Sequence, residues 1–337
     1  MHTGAYCDVN WTAEGKQLGH ISFPYSIDRS PYYQIKLPIC RIKNGEGPGL
    51  LLMAGNHGDE YEGELTLLKA MRLLEPADIH GSITILPIAN QPAVMAARRN
   101  SPLDGGNLNR SFPGDPAGQP TQRIAHYIEH DLLPLHDAVF DIHSGGTSMD
   151  HLVCSLVELS HDEARDRRAI ELMQAMRLPY GFVADNGADS PTSMAAARRA
   201  GIIGLSGELG GGATVTPSTM AYTARAVDNL LRAMGITGRP LLIGAADAAG
   251  TETELIRQGP QSYFVYADRR GWFEPAAGTG DLVEAGQIAG WRYDLEAPLA
   301  PPDVLTFKQS GIVVSKRLHT PIESGDCLFS VAERSPR

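Results

Sequence analysis

From about residue 48 to residue 235, short apolar runs alternate with helix-like segments, and this alternation limits the fold more than any other feature of the chain. "LLLMA" (50–54) reads as a buried strand. "YEGELTLLKAMRLLEP" (61–76) follows with Leu65, Leu68, Met71 and Leu74 at helical spacing, and stops at Pro76. "SITILPIA" (82–89), "AVFDIH" (138–143) and "GIIGLSG" (201–207) are further strand candidates. "QRIAHYIEHDLLPL" (122–135), "SHDEARDRRAIELMQAMR" (160–177) and "TARAVDNLLRAMG" (223–235) read as helices. Apolar strands separated by helices predict an α/β layered domain around a mostly parallel sheet.

The texture changes after about residue 240. "GWFEPAAGTGDLVEAGQIAGW" (271–291) and "FKQSGIVVSKRLHTPIESGDCLFSVAE" (307–333) read as short strands punctuated by glycine, with no helix between them. "LVEAGQ" (282–287) and "PIESGD" (321–326) look like one hairpin element used twice, and "APLAPP" (297–302) reads as a loop. The expected organisation is a catalytic α/β domain over residues 1–240, with a β-rich extension over 1–45, and a small all-β domain over 241–337.

In open α/β sheets, ligands bind outside the carboxyl ends of the strands. His57 and Glu60 follow the first strand candidate, Asn90 follows the second, His143 ends the third and Glu208 follows the fourth. A lone H-x-x-E is a weak signal, because a histidine and a glutamate can equally well satisfy the first turn of a helix. Two more metal-competent or acid–base residues at matching strand ends change the balance. His57, Glu60 and His143 form a His₂Glu set, two ligands close in sequence and one distant, which suits a catalytic zinc with an open position for water. One Zn²⁺ per chain is expected. Such water needs a further carboxylate to take its proton and pass it on, and Glu208 is the candidate.

"ARRNSPLDGGNLNRSFPG" (97–114) reads as a loop carrying Arg98, Arg99 and Arg110 among turn residues. Arginine matches carboxylates bidentately and can steady a developing oxyanion. Competing signatures fail: there is no H-E-x-x-H, no G-K-[ST] after "GELGGG", and no G-x-S-x-G elbow. His161 falls inside an S-x-x-E pattern, Ser160 to Glu163, which reads as a capping box. His126, His130 and His136 read as surface or core histidines. Asp141 is the fallback for the base.

Composition narrows the partners. With 42% hydrophobic and 20% charged residues the chain is too apolar for disorder. A formal charge of −10 argues against nucleic acid or an anionic membrane as the main partner. Four scattered cysteines without a C-x-x-C pair suit free thiols in a reducing compartment. The start lacks the basic leader and apolar stretch of a signal peptide, so a cytoplasmic location is expected. The expected partner is a small-molecule substrate, and nothing in the sequence opposes a homo-oligomer.

"NHGDEYEGE", "GGNLNRSFPG", "DIHSGG" and "GELGGG", in that order, resemble the succinylglutamate desuccinylase/aspartoacylase family of zinc carboxypeptidase-like hydrolases. The resemblance spans about residues 50 to 215, and the β-rich tail is similar to that family's C-terminal domain. It implies a three-layer, zinc carboxypeptidase-like fold with a mixed central sheet. It also implies that His57, Glu60 and His143 are zinc ligands and that Glu208 is the general base. Asn109 and Arg110 match the pair that grips the substrate carboxylate, and Arg99 matches the arginine that polarises the carbonyl. The implied activity is hydrolysis of the amide bond of a small N-acyl amino acid. Within the family the motif wording is most similar to the N-acetyl-diaminobutyrate deacetylases of ectoine breakdown. Aspartoacylase, succinylglutamate desuccinylase, zinc carboxypeptidase and a non-catalytic binder on the same fold are the alternatives.

Overall fold

The structure is a computed structural model that describes residues 4–334. At its centre, strands Gly81–Leu86, Gly49–Ala54, Ala138–His143 and Ile203–Glu208 lie side by side and parallel, in that spatial order. Every residue of the first three is buried, as expected of strands covered on both faces. Alternation sends Leu50, Leu52, Phe140 and Ile142 into one core and Leu51, Met53 and Val139 into the other. Helices Tyr61–Leu73, Glu163–Ala175 and Pro217–Ala233 cover the first face. Helices Pro120–Tyr127 and Ser193–Arg199 cover the second. This is the three-layer α/β fold with a mixed sheet.

Antiparallel strands flank the parallel block. On one side a long hairpin, Gly15–Ile27 and Ser30–Asn44, pairs with Gly81–Leu86. On the other, Cys154–Glu158 runs antiparallel to Ile203–Glu208 and parallel to Tyr180–Ala184. The sheet then continues without a break into the C-terminal region through Glu254–Gln258, Cys327–Arg334 and Gly311–Arg317. A separate antiparallel sheet of Asp303–Thr306, Ile288–Tyr293, Gly271–Pro275 and Pro321–Ile322 packs over Phe273, Phe307 and Phe329.

The two look-alike segments form the same turn. Gln287 N–H donates to Glu284 O at 3.0 Å, and Asp326 N–H donates to Glu323 O at 3.1 Å. Gly286 and Gly325 take the required left-handed backbone, φ +86° and +92°.

Three readings need correction. The apolar row on helix Tyr61–Leu73 meets the core only at its far end, where Leu74 is buried and Met71 packs against it, whereas Leu65 is 40% and Leu68 is 36% exposed. The buried stripe is Gly63, Thr66, Leu67 and Ala70, because a Cβ on Gly63 would run into Ala54 and Ile142; small residues let the helix lie against the sheet. The cap of helix Glu163–Ala175 is Asp162, whose carboxylate accepts from the backbone N–H of Ala164 and Arg165, while Ser160 bonds to Asp166. A short helix, Ala245–Ala249, stands where none was expected.

Candidate active site

Three strand ends deliver the candidate residues to one edge. Gly49–Ala54 runs out through Asn56 into His57, Ala138–His143 ends on His143, and Ile203–Glu208 ends on Glu208, directly opposite His143 in register. The turn carrying His57 is tight: Gly58 N–H donates to Arg98 O at 2.9 Å, and a Cβ on Gly58 would collide with the Ala93 backbone.

Glu60 occupies the N-cap position of helix Tyr61–Leu73 but makes no capping bond. Its carboxylate instead reaches His57 Nδ1 at 2.7 Å through Oε1, and His143 Nδ1 at 2.8 Å through Oε2. The ordinary role of a glutamate at a helix start is therefore set aside for the cluster. His57, Glu60 and His143 are all buried, each offering one donor atom within 4.8 Å of the others, a group able to hold a metal ion. The outer nitrogens are taken: His57 Nε2 lies 3.2 Å from Asn107 Oδ1 and His143 Nε2 lies 2.9 Å from Asp141 Oδ2. With Nε2–H donating outward on both rings, both Nδ1 atoms face the cluster, where a bound metal would take their lone pairs in place of the bonds to Glu60.

The electrostatics follow from this packing. Burial alone would raise the Glu60 pKa, but the two histidines outweigh it and hold the carboxyl well below the usual range. Burial would lower His143, yet Asp141 and Glu60 together raise it well above the ordinary histidine value. Asp141, fully buried, accepts from Asn56, His143 and the Ser193 hydroxyl on its Oδ2. That carboxylate orients His143 through Oδ2, while its buried Oδ1 has no partner among the described residues.

Glu208 is part-buried, and its Oε2 has no partner among the described residues. Burial pushes its pKa up, with Glu60 adding to the shift, against the lowering influence of His151, His143 and His57. Behind it, a Cβ on Gly210 would run into the Glu62 carboxyl, itself buried and pushed up to about 7. Arg99 Nη1 stands 3.4 Å from Glu60 Oε1 and from His57 Nδ1, whereas Arg98 meets the site through its backbone carbonyl. Asn109 Oδ1 accepts from Ser193 N–H at 2.8 Å, and exposed Arg110 donates to Asn109 O at 2.7 Å. The structure thus brings His57, Glu60, His143 and Arg99 into one cluster, sets Glu208 beside His143, and places Asn109 and Arg110 on the adjoining loop. Sequence reasoning missed Asn107, His151 and Ser193. Asn107 sits inside the quoted "GGNLNR", but nothing local marks the other two.

Residues 46–234, more than half of the chain, match the model of the succinylglutamate desuccinylase/aspartoacylase catalytic domain. The chain belongs to that family. It is an amide-cleaving hydrolase. It is 36% identical over 326 residues to the N-alpha-acetyl-L-2,4-diaminobutyric acid deacetylase of Halomonas elongata, covering 96% of this chain and 94% of the relative. Among solved structures it is similar to a succinylglutamate desuccinylase/aspartoacylase from Rhodobacter sphaeroides, with a TM-score of 0.92, 31% identity and 99% of each chain covered. The product-bound ectoine utilization protein EutE (DoeB) of Ruegeria pomeroyi gives a TM-score of 0.92 at 30% identity, again with 99% of each chain covered. Among the described residues no helix is long and apolar enough to cross a membrane.

Proposed function

We propose that this family member is a zinc-dependent deacylase that hydrolyses the amide of a small N-acyl amino acid, with N-alpha-acetyl-L-2,4-diaminobutyrate as substrate and L-2,4-diaminobutyrate and acetate as products. The observation that carries the zinc reading is the convergence of His57 Nδ1, Glu60 and His143 Nδ1, with both Nε2 positions already bonded. Two imidazoles and one carboxylate fit a tetrahedral zinc that keeps a fourth position open. When bound, zinc would polarise the amide carbonyl and make water more acidic.

The chain's own residues supply the rest. Glu208, with an unpartnered Oε2, takes the proton of the attacking water and gives it to the departing amine. Its burial keeps the carboxyl basic enough for that task. Arg99 steadies the oxygen on which charge develops. Asn109 and Arg110 hold the α-carboxylate, the arginine as a fork and the amide through its N–H₂. The narrow substrate rests on the long match to the Halomonas elongata deacetylase. An acidic body, formal charge −10, also suits a substrate bearing an ammonium group. The four free cysteines fit a reducing compartment such as the cytoplasm.

The test compares kcat/KM for N-acetyl-2,4-diaminobutyrate, N-acetylaspartate and N-succinylglutamate on zinc-loaded enzyme. The first should be preferred; preference for either other acid would replace the substrate and keep the hydrolase. Activity on unblocked peptides alone would overturn the deacylase. Arg110→Ala should cost about 10- to 100-fold on the acid and little on its carboxamide, which offers no charge to pair.

A further inference from the structure

Ser193 touches both halves of the site. It is the first residue of helix Ser193–Arg199 and is only 3% exposed. Its hydroxyl donates to Asp141 Oδ2 at 2.5 Å, the same oxygen that faces His143 Nε2 at 2.9 Å. Its backbone N–H donates to Asn109 Oδ1 at 2.8 Å. An N–H at the first helical position has no acceptor within its own helix, so it is free to hold an outside group. Because an N–H can bond only to the oxygen of the amide, it leaves the Asn109 N–H₂ as the free arm, a donor for an anionic substrate.

The approach to Ser193 is itself fixed. Arg199 Nη1 donates to the carbonyls of Ala188 and Ser190 at 2.6 and 3.1 Å. The rest of its guanidinium grips the buried Glu129 through Nε and Nη2, at 2.8 and 2.7 Å. The Thr192 hydroxyl caps the helix by accepting from Ala195 N–H.

We infer that Ser193 is a positioning residue that sets the metal-holding histidine and the carboxylate-binding asparagine in one frame, its hydroxyl acting through Asp141 and its backbone N–H through Asn109. This rests on the deacylase reading above.

The two arms can be cut separately. Ser193→Ala removes the hydroxyl and keeps the N–H. Ser193→Pro removes both, and proline is accommodated at a first helical position, where its ring does not clash. Thr192 already has the extended backbone that a residue before proline adopts, φ −97° and ψ 160°. Both variants should bind zinc about tenfold more weakly than wild type in competition with a chelator, the lower end of what outer partners of a metal ligand cost. At saturating zinc, the proline variant alone should raise KM for the N-acetyl amino acid, by about tenfold over the alanine variant, with kcat of the two within about twofold. A merely structural serine would lower the melting temperature and leave both readouts where they were.

Unchanged zinc affinity in Ser193→Ala, or equal KM in the two variants, overturns the proposal. Should Ser193→Pro fail to fold, the zinc affinity of Ser193→Ala decides. A wild-type protein that neither binds zinc nor cleaves N-acetyl amino acids brings down the deacylase reading first, and this inference with it.

Discussion

The strand Ala138–His143 has a buried histidine at each end of its run, and the two could hardly be used more differently. His143 closes the strand and is 5% exposed; His136, two residues before the strand begins, is 6% exposed. His143 faces two carboxylates, Glu60 and Asp141. His136 has only neutral hydrogen-bond partners, its Nδ1–H donating to Leu132 O at 2.9 Å and its Nε2 accepting from the Thr84 hydroxyl at 2.7 Å. Burial, aided by the nearby Arg41, lowers the His136 pKa to about 4, whereas His143 moves the opposite way. Equal burial thus says nothing about role. A histidine whose ring bonds are all neutral is finished, whereas one ringed by carboxylates is arranged for a cation.

The sharpest way to break that contrast is to delete each ring. His57→Ala and His143→Ala should lose zinc on dialysis and with it nearly all activity, since two ligands do not make a closed set. His136→Ala should keep its zinc and instead lose about 2–3 kcal/mol of stability by stranding the Thr84 hydroxyl and the Leu132 carbonyl. Full zinc occupancy in either ligand variant would erase the distinction.

A second experiment separates holding a metal from moving a proton at the same end of the sheet. Glu208→Gln keeps shape and hydrogen bonding but cannot accept a proton, so zinc content should be unchanged while kcat falls roughly 10²–10⁴-fold. Normal turnover would place the base elsewhere.

The smallest effect lies at the other end. The folded-state pKa of His136 is depressed, so the native ring stays neutral while the unfolded chain takes up a proton below about pH 6.5. Its stabilising contribution is therefore complete above that pH and is lost as pH falls toward 4, by up to about 3 kcal/mol. Urea unfolding of metal-free wild type and His136→Gln, at pH 7 and pH 4.5, should show the wild type losing more. Equal losses would mean that the ring is not held neutral.

What was legible in the sequence follows the same physics. Strands buried on both faces stand out as unbroken apolar runs, so "LLLMA" and "AVFDIH" announced themselves, and with them the edge where the cluster assembles. The strands Cys154–Glu158 and Tyr180–Ala184 did not, since Ser155 and Gly181 interrupt short runs with residues of no strand preference. The first turns of helix Tyr61–Leu73 were misread because Gly63, Thr66 and Ala70 face the sheet beside Leu67 while Leu65 and Leu68 face out. His57, Glu60 and His143 were readable as a set through residue type at strand ends. Ser193 was not, because its two bonds span 52 and 84 residues and leave no local pattern.

The continuity of the sheet also governs when the site can be built as the chain grows. All three side chains of the candidate metal cluster are available once His143 has been made. The loop beyond it, however, leads into Met149–His151, which pairs with Gly311–Arg317, and Thr147 O is held by His319 at 2.9 Å. His57, Glu60 and His143 thus precede the strand that fastens the neighbouring loop by more than 160 residues. Gathering of the cluster and completion of the cleft draw on different lengths of chain, the second waiting on the last strands of the fold.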